Sequence, residues 1–296
     1  MELLYKNRSF SSCIMAAYNL LMNNFKGLVR CMWLPALLFS LFCAALVTLN
    51  VPNDKILAYG LEHPAVFIGG NVVLMLAVIG TSLWMLARLM SFLNEKTRKW
   101  NFARVTIVFL NMLAVSLVFG AIVFVLMRLM FMSGDAESHF TTKMAVMVLV
   151  SFVMVMLTLP LVYVNMKYLN EDNVSYWKSF IANYKTGAKY IGMIFITLLL
   201  TAIISLLVTS VIQLPFYVLM MALGTSQFGV LYGDPAGLPA SFPLLVFFTL
   251  LIVMLVSCIL TVFEMLVMYF LYGSIEQKQR ERQEVSKVFE ATVATT

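Results

Sequence analysis

Six long apolar runs dominate the chain, near residues 31–49, 64–87, 105–132, 144–168, 190–223 and 244–272. A helix needs about 20 apolar residues to cross a hydrocarbon core of roughly 30 Å, and it satisfies its own backbone there. The pattern therefore predicts an all-α polytopic membrane protein, a six-transmembrane helix bundle. The fifth run is too long for one perpendicular span, so its start is expected to lie along the interface or the helix to tilt. Pro215 is expected to kink it near the far end.

Ahead of the first run the period changes. Phe10, Ile14, Ala17, Leu21, Phe25 and Leu28 recur at spacings of four and three, while Ser12, Asn19, Asn23, Lys26 and Arg30 occupy another face. A second such stretch precedes the fifth run. Val174, Trp177, Ile181, Tyr184, Ala188 and Ile191 form its apolar face, and Lys178, Lys185 and Lys189 its basic one. Both read as amphipathic interfacial helices lying in the headgroup plane, before spans 1 and 5. The stretch 94–104, with Glu95, Lys96, Arg98, Lys99 and Trp100, is shorter and charged, and it reads as a loop with an interfacial tryptophan. Each of the three stretches leads into a hairpin of two spans, a repeat plan that two of them support.

Composition removes the alternatives to a membrane protein. The 296 residues are 62% hydrophobic and only 11% charged, with a mean hydropathy of +0.93, which excludes a water-soluble globule. The net charge of +6 does not indicate nucleic acid, because the basic residues flank apolar runs. They are also one-sided. Lys6, Arg8, Lys26 and Arg30 precede the first run. Arg88, Lys96, Arg98, Lys99 and Arg104 follow the second, Lys167, Lys178, Lys185 and Lys189 follow the fourth, and Lys278, Arg280, Arg282 and Lys287 follow the sixth. The other loops hold Lys55 and Lys143, and Arg128 lies inside a span. The bias predicts both termini cytoplasmic and anionic inner-leaflet lipid as the partner of the basic faces. Residues 1–272 read as a single membrane domain and 273–296 as a cytoplasmic helical extension. In that extension Glu276 precedes Arg280 and Glu284 precedes Lys287 at helical spacing, before the chain frays from Ala291. A polar stretch ahead of the first run argues against a cleavable signal peptide.

One segment carries a family resemblance. Pro160, Tyr163, Lys167, Glu171 and Asp172 are followed by Tyr176, Trp177, Lys178, Ser179 and Phe180, then Tyr184, Gly187, Lys189, Tyr190 and Gly192 leading into a span. This order resembles uncharacterised bacterial six-span inner-membrane proteins related to the membrane domain of glycerophosphodiester phosphodiesterases. Tyr18, Asn23, Asn24, Phe25 and Lys26 are similar in style. The resemblance covers roughly residues 10 to 270 as architecture and does not extend to the phosphodiesterase catalytic domain. It implies a location, the bacterial inner membrane, more than a chemistry.

Candidate chemistry rests on polar residues inside the spans, where they are costly. Thr197, Thr201, Ser205, Thr209 and Gln213 stand four apart and form one ridge along the fifth span. Thr249, Ser257, Thr261 and Glu264 share a face of the sixth, and an antiparallel arrangement brings Glu264 to the depth of Thr197 and Thr201. Such a seam is read first as small hydroxyl residues gluing two helices, each hydrogen bond contributing about 0.6 kcal/mol. The alternative is a solvated groove with Glu264 as a proton or cation site. Asn71 and Arg128, at the depth of Gln213, form a possible outer headgroup site, although an arginine near a helix end commonly snorkels. Asn111, Asn165 and Glu264 would form an inner layer.

No metal site is expected from Glu62, His63, Asp54, Asp135, Glu137, His139 and Asp234, because three loops would have to converge. Cys13, Cys31, Cys43 and Cys258 have neither zinc nor disulfide spacing. The common hydrolase and nucleotide-binding motifs do not occur, so no enzyme activity and no cofactor are expected. The favoured expectation is a membrane-embedded accessory or scaffold protein. A small transporter or lipid-handling protein using the seam is the alternative.

Overall fold

The computed structural model describes residues 4–51, 59–131, 140–172, 174–233 and 237–294. In chain order the helices are α1 (Phe10–Asn23), α2 (Phe25–Leu49), α3 (Pro64–Asn94), α4 (Arg98–Phe131), α5 (Phe140–Asn170), α6 (Phe180–Lys189), α7 (Ile191–Ile212), α8 (Leu214–Leu231) and α9 (Phe242–Ala294). No strand occurs among the described residues. The chain is an all-α polytopic membrane protein, with seven described helices (α2, α3, α4, α5, α7, α8 and α9) long and apolar enough to cross a bilayer. Leu117, Leu129 and Val148 illustrate the outward apolar surface, each about two-thirds exposed (66%, 68% and 65%). Hydrocarbon accommodates such side chains without the cost that water imposes.

The fifth apolar run divides at Gln213. Pro215, in the first turn of α8, has no N–H to offer the preceding turn, so α7 stops at Ile212 and a new helix starts. Backbone bonds continue across this junction, from Gln213 N to the Thr209 carbonyl at 2.9 Å and from Tyr217 N to the Gln213 carbonyl at 3.0 Å. The apolar helix then reaches Leu231, beyond the expected end at 223.

Two further expectations are corrected. Most of 94–104 is helical: α3 ends where Glu95 turns left-handed at φ 58°, and α4 begins at Arg98. The helix of the tail runs past Ala291, since α9 continues to Ala294 as one 53-residue helix, about 80 Å long at 1.5 Å per residue. The first lead-in is helical as α1. Its protein-facing side is Cys13, Ala17 and Leu20, while Phe10, Met15, Tyr18 and Met22 are exposed. In the second lead-in the helix starts only at Phe180.

The described chain forms two compact units. Unit 2 comprises Ala17–Arg98 and Leu200–Leu266. Its helices α2 and α3 form an antiparallel hairpin, since Gly27 lies against Phe92, Cys31 against Arg88 and Asn50 against Asn71. A core of Ala44, Val51, Phe242, Val246 and Leu250 joins α2 to the first half of α9, with Phe216 and Leu219 of α8 packed against it.

Unit 1 comprises Met1–Ala16, Lys99–Leu199 and Val267–Thr296. Helix α6 folds back on α5 around a core of Val164, Tyr168 and Tyr176. A Cβ at Gly187 would lie 2.7 Å from the Pro160 carbonyl oxygen, a backbone atom that cannot swing away. Tyr184 Oη donates to the Leu157 carbonyl at 2.9 Å, one turn before the point where Pro160 interrupts the backbone ladder. Gly187→Ala should therefore push α6 off α5 and cost about 1–3 kcal/mol, read as a lower thermal midpoint in detergent. An unchanged midpoint would contradict the close approach.

Candidate functional site

At the end of unit 1 where α5 stops, two ridges of side chains meet. Tyr163 and Lys167 on α5 and Glu171 just past its last residue stand four apart, and Tyr272, Glu276 and Arg280 stand four apart on α9. The helices are antiparallel here, so Glu171 lies opposite Tyr272 and Lys167 opposite Glu276. Tyr163 Oη donates to Glu276 Oε2 at 2.7 Å, and Lys167 Nζ reaches the same oxygen at 3.1 Å. Tyr272 Oη donates to Glu171 Oε1 at 2.8 Å, while Lys167 Nζ lies 3.7 Å from that carboxylate and Arg280 Nε 3.8 Å from Glu276. Two carboxylates thus face two cations. Glu276 is only 8% exposed, so this pairing is what makes its burial tolerable. The Glu276 carboxylate, read from spacing as the partner of Arg280, is thus shared with α5.

The N-terminal segment is strapped onto the same stretch of α9. Arg8 N donates to Ser274 Oγ at 3.0 Å, and Ser274 Oγ donates back to the Arg8 carbonyl at 3.0 Å. The Arg8 guanidinium lies 4.9 Å from the Phe270 ring centroid and Arg280 lies 4.4 Å from that of Tyr5. Gly273 permits this contact, because a Cβ there would collide with the Leu4 carbonyl. Burial pushes the Cys13 thiol up to about 11, against the lowering pull of Arg8, Lys278 and a Ser274 hydrogen bond. Two results are expected in detergent. At pH 8 Cys13 should alkylate about a hundred-fold more slowly in native than in denatured protein. Because the folded value exceeds the ordinary one near 9, its contribution to stability is full below pH 9 and is lost as pH rises toward about 11.

Arg104, near the start of α4, closes the end of α5. Its guanidinium donates to the carbonyls of Tyr168, of Glu171 at 2.6 Å and of Asp172 at 2.7 Å. It is held between the rings of Trp100 and Tyr168, at 4.1 and 4.5 Å. A cation over the last carbonyls offsets the negative end of the helix dipole and satisfies acceptors that have no helical donor.

The residues singled out in the spans are placed as follows. Thr197, Thr201 and Ser205 are buried at 0%, 4% and 7% exposure, and Thr209 is half-buried. The neighbouring Ile203, Leu206 and Leu207 are exposed. Thr197 Oγ1 donates to the Met193 carbonyl at 2.7 Å, while Ser205 Oγ is buried without a partner. Gln213 Oε1 accepts from Tyr217 Oη at 2.7 Å. Thr261 Oγ1 donates to the Ser257 carbonyl at 3.3 Å. Glu264 is half-buried and makes no hydrogen bond or ion pair among the described residues.

Asn71 Oδ1 accepts from Asn50 Nδ2 at 2.6 Å, and the Arg128 side chain is exposed. Asn111 donates to its own helix at the Ile107 carbonyl, 2.8 Å away, and Asn165 accepts from Tyr176 Oη at 3.0 Å. Asp54, Asp135, Glu137, His139 and Asp234 lie outside the described residues. Among the described residues no group of acidic, histidine or cysteine side chains is arranged to hold a metal ion. The four cysteines are free thiols.

Sequence reasoning missed the Tyr163–Glu276 cluster as a site. The available signal was the pair of matching four-residue ridges, reading Tyr-Lys-Glu in one direction and Tyr-Glu-Arg in the other. Comparison of the chain with protein-family models, with curated proteins and with solved structures finds no match.

Proposed function

We propose that the chain is a six-span protein of a bacterial inner membrane, with cytoplasmic termini, acting as a non-enzymatic accessory or scaffold protein. The observation that carries this reading is the mutual satisfaction of the Tyr163, Lys167, Glu171, Tyr272, Glu276 and Arg280 side chains. A charge-balanced cluster of this kind serves to hold helices in register, because its donors and acceptors already face one another. Helix α9 carries that rigidity onward through the helical tail, a suitable handle for a cytoplasmic partner. The six-span count treats α7 and α8 as one bent crossing with its turn at Gln213, and the lysine and arginine bias sets the orientation. Membership of the group related to the membrane domain of glycerophosphodiester phosphodiesterases belongs to the same proposal.

One observation favours transport instead: Ser205 Oγ is buried without a partner on the ridge of Thr201 and Thr209, and Glu264 is open to a ligand on α9. The experiment that separates the two replaces Thr201, Ser205, Thr209 and Thr261 singly by cysteine in a background lacking Cys13, Cys31, Cys43 and Cys258. Each variant is then exposed to a charged thiol reagent in intact membranes. Protection of all four positions is the result expected of a dry packing seam. Labelling along the ridge, with loss of transport in Glu264→Gln at normal abundance, would replace the scaffold reading.

A further inference from the structure

Unit 2 contains an apolar groove of about 240 Å³, walled by Phe25, Val29, Trp33 and Leu37 of α2 and by Leu255 and Val262 of α9. None of its lining residues carries a carboxylate, amide, hydroxyl or ammonium group. A stable water needs two to four polar partners, so water has no place to bind here and hydrocarbon does. The groove is open to the membrane side, since Trp33 is 55% exposed. From Phe25 to Leu37 it follows α2 for about 18 Å at 1.5 Å per residue, close to the half-thickness of a hydrocarbon core of roughly 30 Å.

Charge identifies the head of the occupant. At about 100° per residue, Lys26 falls between Trp33 and Leu37 around the α2 axis, and Arg30 follows one turn later on the flank of the same wall. Both are exposed, and neither is ion-paired among the described residues. They stand at the end of the groove where α2 begins. A cation pair at the mouth and an apolar slot one leaflet deep match an anion with a single long chain running inward.

We propose that the groove binds one acyl chain of an anionic phospholipid, with the headgroup phosphate held by Lys26 and Arg30. The lipid would bridge α2 to α9 along a face where the two helices leave space between them. The inference needs only that these helices lie in lipid, so it stands or falls independently of the scaffold reading. The threading with cytoplasmic termini assigns the site to the inner leaflet.

The test uses full-length protein purified in detergent and titrated with phosphatidylglycerol or phosphatidylcholine of identical chains, with retention read by native mass spectrometry. Wild type should retain phosphatidylglycerol about tenfold better than phosphatidylcholine. Lys26→Gln with Arg30→Gln should abolish that preference, and Ala36→Phe, which fills the slot, should reduce retention of both lipids about tenfold, a difference of roughly 1.4 kcal/mol. Should Ala36→Phe fail to fold, phosphatidylglycerol brominated on its chains provides the second reading. It should quench tryptophan emission in wild type, and that quenching should be lost in Trp33→Phe. Equal retention of the two lipids by wild type, or quenching undiminished in Trp33→Phe, would overturn the proposal.

Discussion

Glu276→Ala should destabilise the protein by about 3–5 kcal/mol, the largest effect expected of any single change in the cluster. The substitution leaves Lys167, whose side chain is 16% exposed, with only the longer 3.7 Å contact to Glu171, and leaves the Tyr163 hydroxyl with Gln279 Oε1 at 3.3 Å in place of its 2.7 Å carboxylate acceptor. A largely buried charge that loses its nearest partner costs more than the pair contributes, so removal of both members should be milder. Lys167→Met combined with Glu276→Met should recover much of the loss, with a coupling of about 0.5–3 kcal/mol between the two sites. Chemical unfolding of all four proteins in detergent measures this cycle. Strict additivity of the two single changes would mean that the contact contributes nothing.

Arg104→Ala should follow, at about 2–4 kcal/mol, because hydrogen bonds to a charged donor contribute about 1.5–3 kcal/mol each and three carbonyls share this one. Arg104→Lys should recover less than half of the loss. An ammonium keeps the charge but cannot present a planar fork to three acceptors while lying between two aromatic rings. The local signature should be faster proteolysis in the segment 171–179, just beyond the carbonyls that Arg104 holds. Equal stability of the alanine and lysine variants with wild type would show that the end of α5 is held by other contacts.

Both predictions concern side chains whose importance the linear pattern understates. Glu276 with Arg280 has the spacing of an ordinary solvated pair on a helix, and Lys167 belongs to one of the basic stretches that separate the apolar runs. Spacing within one helix says which residues share a face. It does not say which other helix that face meets, and therefore leaves open whether a charge is hydrated or buried. The same limit applies to 94–104, where a high density of charge reads as a loop. Arg104, Trp100 and Tyr168 stack across two helices and extend α4 back to Arg98. In α9 the helix outlasts the change from apolar to charged residues, because i,i+4 pairs such as Gln277 with Glu281 sustain it.

By itself the sequence determined the solvent and the long apolar helices. Runs of spanning length must be helical in hydrocarbon, since each backbone donor has to find its acceptor within its own segment. The four-residue ridge of Thr197, Thr201 and Ser205 faces inward for a related reason: in a lipid-facing span the small and polar positions pack against protein. Tertiary structure alone decided the rest. The antiparallel register of α5 and α9 set Glu276 against Tyr163 and Lys167. The close approach of α6 to Pro160 required Gly187, and the strap of residues 4–9 required Gly273. These features depend on residues brought together from more than a hundred positions apart, or on backbone atoms meeting across two segments, and no local periodicity encodes such distances.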